Sequence, residues 1–198
     1  MLARLGRETL PHHADADADI DRFLFGATTT VADYRAYLTR IYGFLVPFET
    51  ALATTPGLDL VIDVRPRAKA VHLLQDLLAL GMTMHETAEL PQCMSIPAFR
   101  GPAAALGWMY VSERPMLASA VIRRHLATRL PSEMHNAAAY LSCYAGNVGT
   151  RWRELGEAMD RLAFANGIAD RIVGAAQEAF RALHRWRTHD LQRTALAV

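Results

Sequence analysis

Apolar residues return along most of this chain at three- and four-residue steps, the period that turns one side of an α-helix toward a core. Tyr34, Tyr37, Leu38, Ile41, Leu45, Phe48 and Leu52 keep that step through one long stretch. Thr30 and Asp33 stand ahead of it as a capping box with Asp in place of the usual Glu, Pro47 bends it, and Pro56-Gly57 stops it. Leu2, Leu5 and Thr9 share a face of a short first helix that runs toward Pro11. The alternating run ADADADID that follows reads as a solvated turn or a helix start, because alternate residues on a helix do not face one another.

The segment LDLVIDV is the one β-like run. A single apolar run without a partner makes no sheet, so it reads as an extended connector or a short helix. Pro66 opens a further helix with Val71, Leu74, Leu77, Leu78 and Leu80 as its buried face, closed by Gly81. Residues Met82 to Pro102 hold three prolines and little periodicity and read as a loop. Pro131-Ser132 starts another helical stretch through Tyr140, Leu141 and Tyr144, interrupted by Gly146 and Gly149. A helix from Thr150 to about Phe164 carries Trp152, Leu155, Met159 and Leu162, and a last one runs from Ile168 through Leu183 to an arginine-rich end read as a solvated face. The pattern predicts an all-α fold, one domain over 1–198 with six to eight helices.

The stretch from Leu106 to His125 stands apart. Pro115 lies inside it, where it removes an amide donor and presses its ring toward the carbonyl of Val111, so the helix is expected to bend there. Ala118, Ser119 and Ala120 follow the bend. A kink followed by small side chains brings backbone close to something flat, a neighbouring helix or a bound ligand.

Charge narrows the function by exclusion. Lys and Arg total 21 against 20 Asp and Glu, for a net charge of +1, so nothing favours nucleic acid, a membrane surface or a polyanionic substrate. The two cysteines, Cys93 and Cys143, form no C-x-x-C and suit structural thiols in a reducing compartment. No apolar run approaches the roughly 18 residues of a membrane span, and the chain is expected to be cytoplasmic. Among eight histidines there is no H-E-x-x-H or H-x-x-x-H, and no paired E-x-x-H. G-x-S-x-G, a P-loop and G-x-G-x-x-G are also missing, which removes hydrolase, NTPase and Rossmann readings. What remains is a histidine early in the chain, a bent helix of small residues, and scattered arginines. A heme held between two helices requires that combination: one neutral imidazole on the iron, a close-passing helix over the porphyrin, and cations for the propionates.

Thr9-Leu10-Pro11-His12-His13 is similar to the T-x-P-x-H of a known family, the bacterial biliverdin-producing heme oxygenases, whose last motif residue ligates the iron, so the resemblance names His13 as axial ligand. Tyr37-Leu38 and Pro47-Phe48-Glu49 resemble its second helix, and Asp76-Leu77 with Leu80-Gly81 its D-L-x-x-L-G. Leu106-Gly107, Tyr110-Val111 and Glu113 resemble the start of its distal motif L-G-x-x-Y-V-x-E-G-x-x-L-G, which puts Tyr110 beside the cofactor. Gly149-Thr150-Arg151-Trp152-Arg153 is similar to the turn where a basic residue pairs with a propionate, a position matched by Arg153.

What the resemblance implies is oxidative cleavage of heme to biliverdin with release of carbon monoxide and iron. Heme is then both cofactor and substrate, dioxygen the oxidant, and a ferredoxin or flavoprotein reductase the external electron donor, with a biliverdin acceptor as a possible further partner. Arg114 and Ala118 replace the two distal glycines that admit oxygen, and Ser119 follows as a candidate to order water. An Ala adds one methyl group; an Arg obstructs the pocket unless its guanidinium swings to the rim. These departures make slow turnover the expectation, with a non-catalytic heme or tetrapyrrole binder of the same fold as the alternative.

Overall fold

The computed structural model describes residues 1–26 and 28–195, with side chains through 188. Among the described residues there are eleven α-helices and no strand. They are α1 Leu2–Glu8, α2 His13–Leu24, α3 Val31–Ala53, α4 Ala70–Ala79, α5 Met84–Ala88, α6 Pro102–Glu113, α7 Ser119–Arg129, α8 Pro131–Asn136, α9 Ala139–Ser142, α10 Val148–Ala163 and α11 Ile168–Ala195. The count exceeds the six to eight expected because several are one or two turns long.

Local chemistry explains some helix ends. The Thr30 hydroxyl accepts from the Asp33 amide and the Asp33 carboxylate accepts back from the Thr30 amide, starting α3 as anticipated. The helix then continues through Pro47 to Ala53. At the end of α4, Gly81 at φ +91° lets its own amide reach Leu78 and the Met82 amide reach Leu77, the paired bonds of a Schellman cap.

The alternating acidic run is helical inside α2, in line with the helix-start reading. Other expectations need correction. In α4 the buried face is Leu73, Asp76 and Leu77, while Val71 lies exposed; two neighbouring apolar stripes fit the sequence and packing on α3 selects one. The Met82–Pro102 segment holds a short helix, α5, started by a Thr83/Glu86 capping box. The basic end of α11 is no simple solvated face: Arg187 is buried against Asp19, and the Trp186 indole donates to the carbonyl of Arg40. LDLVIDV forms turns.

At the centre lies α6, with ten of its twelve residues buried. It packs along α11 at close range. A Cβ added at Gly107 would come 2.4 Å from the Ile172 carbonyl oxygen and 2.7 Å from the Ala175 Cβ, so only glycine permits this crossing. On the opposite side Trp108 stacks with Phe44 and Phe48 and meets Phe99. Helix α6 thus has apolar partners nearly all round, and no solvent-facing stripe is left on it.

Two glycine substitutions separate close packing from backbone freedom. Gly107→Ala forces α6 off α11 and should cost about 1–3 kcal/mol, the usual range for overpacking. Gly174→Ala, on the exposed side of α11 with nothing within 4 Å, should stabilise by roughly 1 kcal/mol through helix propensity alone. Denaturant or thermal melts of both variants check the pair; equal effects would contradict the packing described.

Candidate functional site

Helix α6 ends at Glu113, a residue 3% exposed whose carboxylate is paired with cations. It accepts from Lys69 Nζ at 2.8 Å and from the Tyr144 hydroxyl at 2.9 Å, and Arg67 Nη1 lies 3.5 Å away. Burial, reinforced by Glu113 beside it, pushes the Tyr144 phenol up, so the hydroxyl keeps its proton and remains a donor. Arg67 continues the chain of contacts to Glu154 and the carbonyl of Arg151 in α10. The Glu49 carboxylate of α3 accepts the amides of Lys69 and Ala70, capping α4. Asp76 of α4 accepts the amides of Ala139 and Tyr140 and so starts α9. These ties hold the point from which the chain leaves α6.

What leaves α6 is not a kinked continuation of the helix. Residues Arg114–Ala118 form a 3-10 turn with Pro115 in its first positions, and α7 begins at Ser119. Proline suits that place because an amide at a helix start has no intrahelical acceptor. The tighter turn is how the expected bend is made.

Helix α2 meets this segment and α7 through two side-chain contacts. His13, Asp17, Ile20 and Leu24 form one stripe at i, i+4, i+7 and i+11, with Ile20 and Leu24 buried. Arg114 donates to both Asp17 oxygens at 2.7 Å each, a bidentate fork. Further on, the Phe25 ring meets the His125 ring of α7 at 4.7 Å between centroids. The two ties are about 12 Å apart along α2 at 1.5 Å per residue. Exposed apolar residues stand on both segments: Ala14 and Ala18 on α2, and Leu117, Ala118 and Val121 on the other.

His13 is half-buried at the start of α2. Its ring packs against Phe180 of α11, which also meets Tyr110 of α6, and Tyr110 contacts Trp152 of α10. His12 stacks on the same Phe180 ring. Burial, aided by the charge of Arg114, lowers the His13 pKa from its ordinary 6.5, with Asp17 opposing. The imidazole is therefore neutral and able to ligate a metal. Its Nε2 is 3.1 Å from the Thr9 hydroxyl, which donates to the Leu5 carbonyl. With that proton committed, Nε2 carries the hydrogen toward Thr9, and the ring must turn before Nε2 meets iron.

The residues named from sequence separate into two groups. His13, Tyr110 and Arg114 come together around Phe180 and Asp17. Ala118 is exposed at the end of the turn, while buried Ser119 donates its hydroxyl to the Met116 carbonyl at 2.8 Å. Arg153 is exposed on the first turns of α10, with one long bond to Thr150 at 3.4 Å. Asp17 escaped notice within the acidic run, although its i+4 spacing from His13 was readable once that run is helical. The Lys69–Glu113 pair carries no local signal, because it joins residues 44 apart in sequence.

The donor set fits a heme better than a bare metal ion. Among the described residues no three His, Cys, Asp or Glu side chains gather as a metal site. Burial pushes the half-buried Cys143 thiol up to about 11, so it is no thiolate ligand at neutral pH. A lone neutral imidazole beside aromatic rings is what a porphyrin iron takes from a protein.

The chain is an all-helical bundle whose half-buried His13 opens α2 and packs on Phe180 of α11. The match to known families is specific. The family model for heme oxygenase covers residues 1–189, and the chain belongs to that family. No individual curated protein and no solved structure gives a significant match. Among the described residues no helix is long and apolar enough to cross a membrane.

Removing Arg114 should move the His13 titration in a defined direction. Arg114→Gln deletes a cation that opposes the imidazolium and frees the Asp17 charge that favours it, so the midpoint should rise. Asp17→Asn should lower it. Ring-proton NMR titration reads both, and a midpoint that falls in Arg114→Gln would contradict the geometry.

Proposed function

We propose that this chain binds heme through His13 and cleaves it to biliverdin, carbon monoxide and iron. The observation that carries the reading is the neutral, half-buried His13 on the stripe of α2 that meets the Arg114–Ala118 turn, in a chain of the heme oxygenase family. Heme, when bound, supplies the iron that activates dioxygen and is itself the substrate. The protein's part is to bind, orient and exclude water. His13 would hold iron from the α2 side after turning from Thr9. Phe180, Tyr110 and Trp152 shield that side from solvent, and Arg153, exposed on α10, would pair with a propionate. The hydroxyls of Ser112 and Ser119 donate to the carbonyls of Met109 and Met116, which leaves their lone pairs to order water near the turn. Electrons come from a ferredoxin or flavoprotein reductase, and the product passes to a biliverdin acceptor.

A second reading keeps heme or another tetrapyrrole and drops turnover. It is favoured by the Arg114–Asp17 fork, which spans the two elements that must enclose the ligand.

Titration of the protein with ferric heme tests the binding. His13→Ala should abolish the Soret shift or make it dependent on added imidazole, and His12→Ala should leave it intact; an unaltered His13→Ala spectrum removes the assignment. Single-turnover heme loss with ascorbate or a reductase separates enzyme from carrier. Wild type is expected to consume heme slowly and Ala118→Gly faster, with little stability cost because position 118 is the N-cap of α7, where glycine is better tolerated than alanine.

A further inference from the structure

The Arg114 guanidinium is held by a carboxylate at the place where a ligand with carboxylates of its own is expected. We propose that Arg114 is a carboxylate-exchange residue: Asp17 holds it in the ligand-free protein, and a dicarboxylate tetrapyrrole entering between α2 and the Arg114–Ala118 turn takes the fork from Asp17 with one of its own carboxylates. The inference rests on the tetrapyrrole-binding part of the proposed function.

The backbone on either side of Arg114 is set in advance. Glu113 before it is buried and bound by Lys69 and Tyr144, and Pro115 after it has a fixed φ. Motion is thus left to the Arg114 side chain. Its pair with Asp17 has ideal fork geometry but is only partly covered, with side-chain exposures of 21% and 35%. Water competes for both groups, so opening the pair is inexpensive, and Asp17 is solvated once released. A ligand carboxylate offers the same charge and the same two oxygens, so exchange conserves the bidentate contact. The fork also joins the two segments that would flank a flat ligand, so a ligand entering there must either part it or lie beside it. Exchange turns that obstacle into selectivity, because a ligand without free carboxylates has nothing to offer Arg114.

The test uses metal-free protoporphyrin IX and its dimethyl ester, titrated into full-length protein and followed by quenching of tryptophan fluorescence. No iron is present, so neither His13 ligation nor turnover enters the result. Wild type should prefer the dicarboxylate by about tenfold, the scale of one charge-assisted bidentate contact. Asp17→Asn should bind the dicarboxylate roughly three- to fivefold more tightly, as a competitor of modest strength is removed. Arg114→Gln should lose the preference for the acid over the ester. Unchanged or weaker binding by Asp17→Asn, or an intact preference in Arg114→Gln, overturns the proposal. Should Arg114→Gln fail to fold, Asp17→Asn decides alone, since a damaged fold does not gain affinity. Ferric heme bound through His13 alongside an unresponsive Asp17→Asn would leave the heme site standing and remove the exchange. A gain in Asp17→Asn with heme indifferent to His13→Ala would do the reverse.

Discussion

A carboxylate buried at the end of a central helix has to be paired, and pairing Glu113 organises much of this protein. Leaving such a charge without its partner costs about 3–5 kcal/mol, a large share of a domain's stability. Lys69, Arg67 and Tyr144 meet it from the approach to α4 and from the turn after α9, and Arg67 passes the connection on to α10. Those contacts decide where α6 stops. They therefore decide where the Arg114–Ala118 turn lies relative to α2, and so whether a ligand finds room between them.

The second constraint is distance. Glycine at 107 lets α11 approach α6 closely enough for Phe180 to reach both Tyr110 and His13. Close packing on one side of α6 and ion pairing at its end thus converge on the same site. Apolar burial stabilises the bundle in general, while these two features give the site its shape.

Where an element is determined by its own residues, the sequence is readable. The capping box at Thr30 and the glycine that ends α4 are local chemistry, and both stand in the structure as read. Val71 lies on the exposed side although periodicity puts it in the core, because α4 is apolar over a wide arc and only its packing on α3 picks the buried stripe. The Arg114–Ala118 turn was legible as a disturbance at Pro115 but not as a 3-10 segment, since its course depends on how Glu113 is bound. Trp186 and Arg187 looked solvated because their partners, Arg40 and Asp19, lie about 150 residues earlier or more. His13 was visible through motif resemblance, whereas Asp17 needed the helix before its spacing acquired meaning. The site was therefore readable as a set of residue types and unreadable as a set of contacts.

Helix α2 touches the segment that follows α6 through an ion pair and an aromatic contact, and each side carries exposed apolar residues. A protein arranged in this way is expected to change its side-chain pairing on binding while its backbone stays in place. A crystal structure of the ferric heme complex tests that account most directly. It should place iron on His13 Nε2, the porphyrin between α2 and the Arg114–Ala118 turn, and Arg114 on a propionate with Glu113 still bound to Lys69. Iron on another side chain, or heme seated elsewhere with the Arg114–Asp17 fork intact, would contradict it.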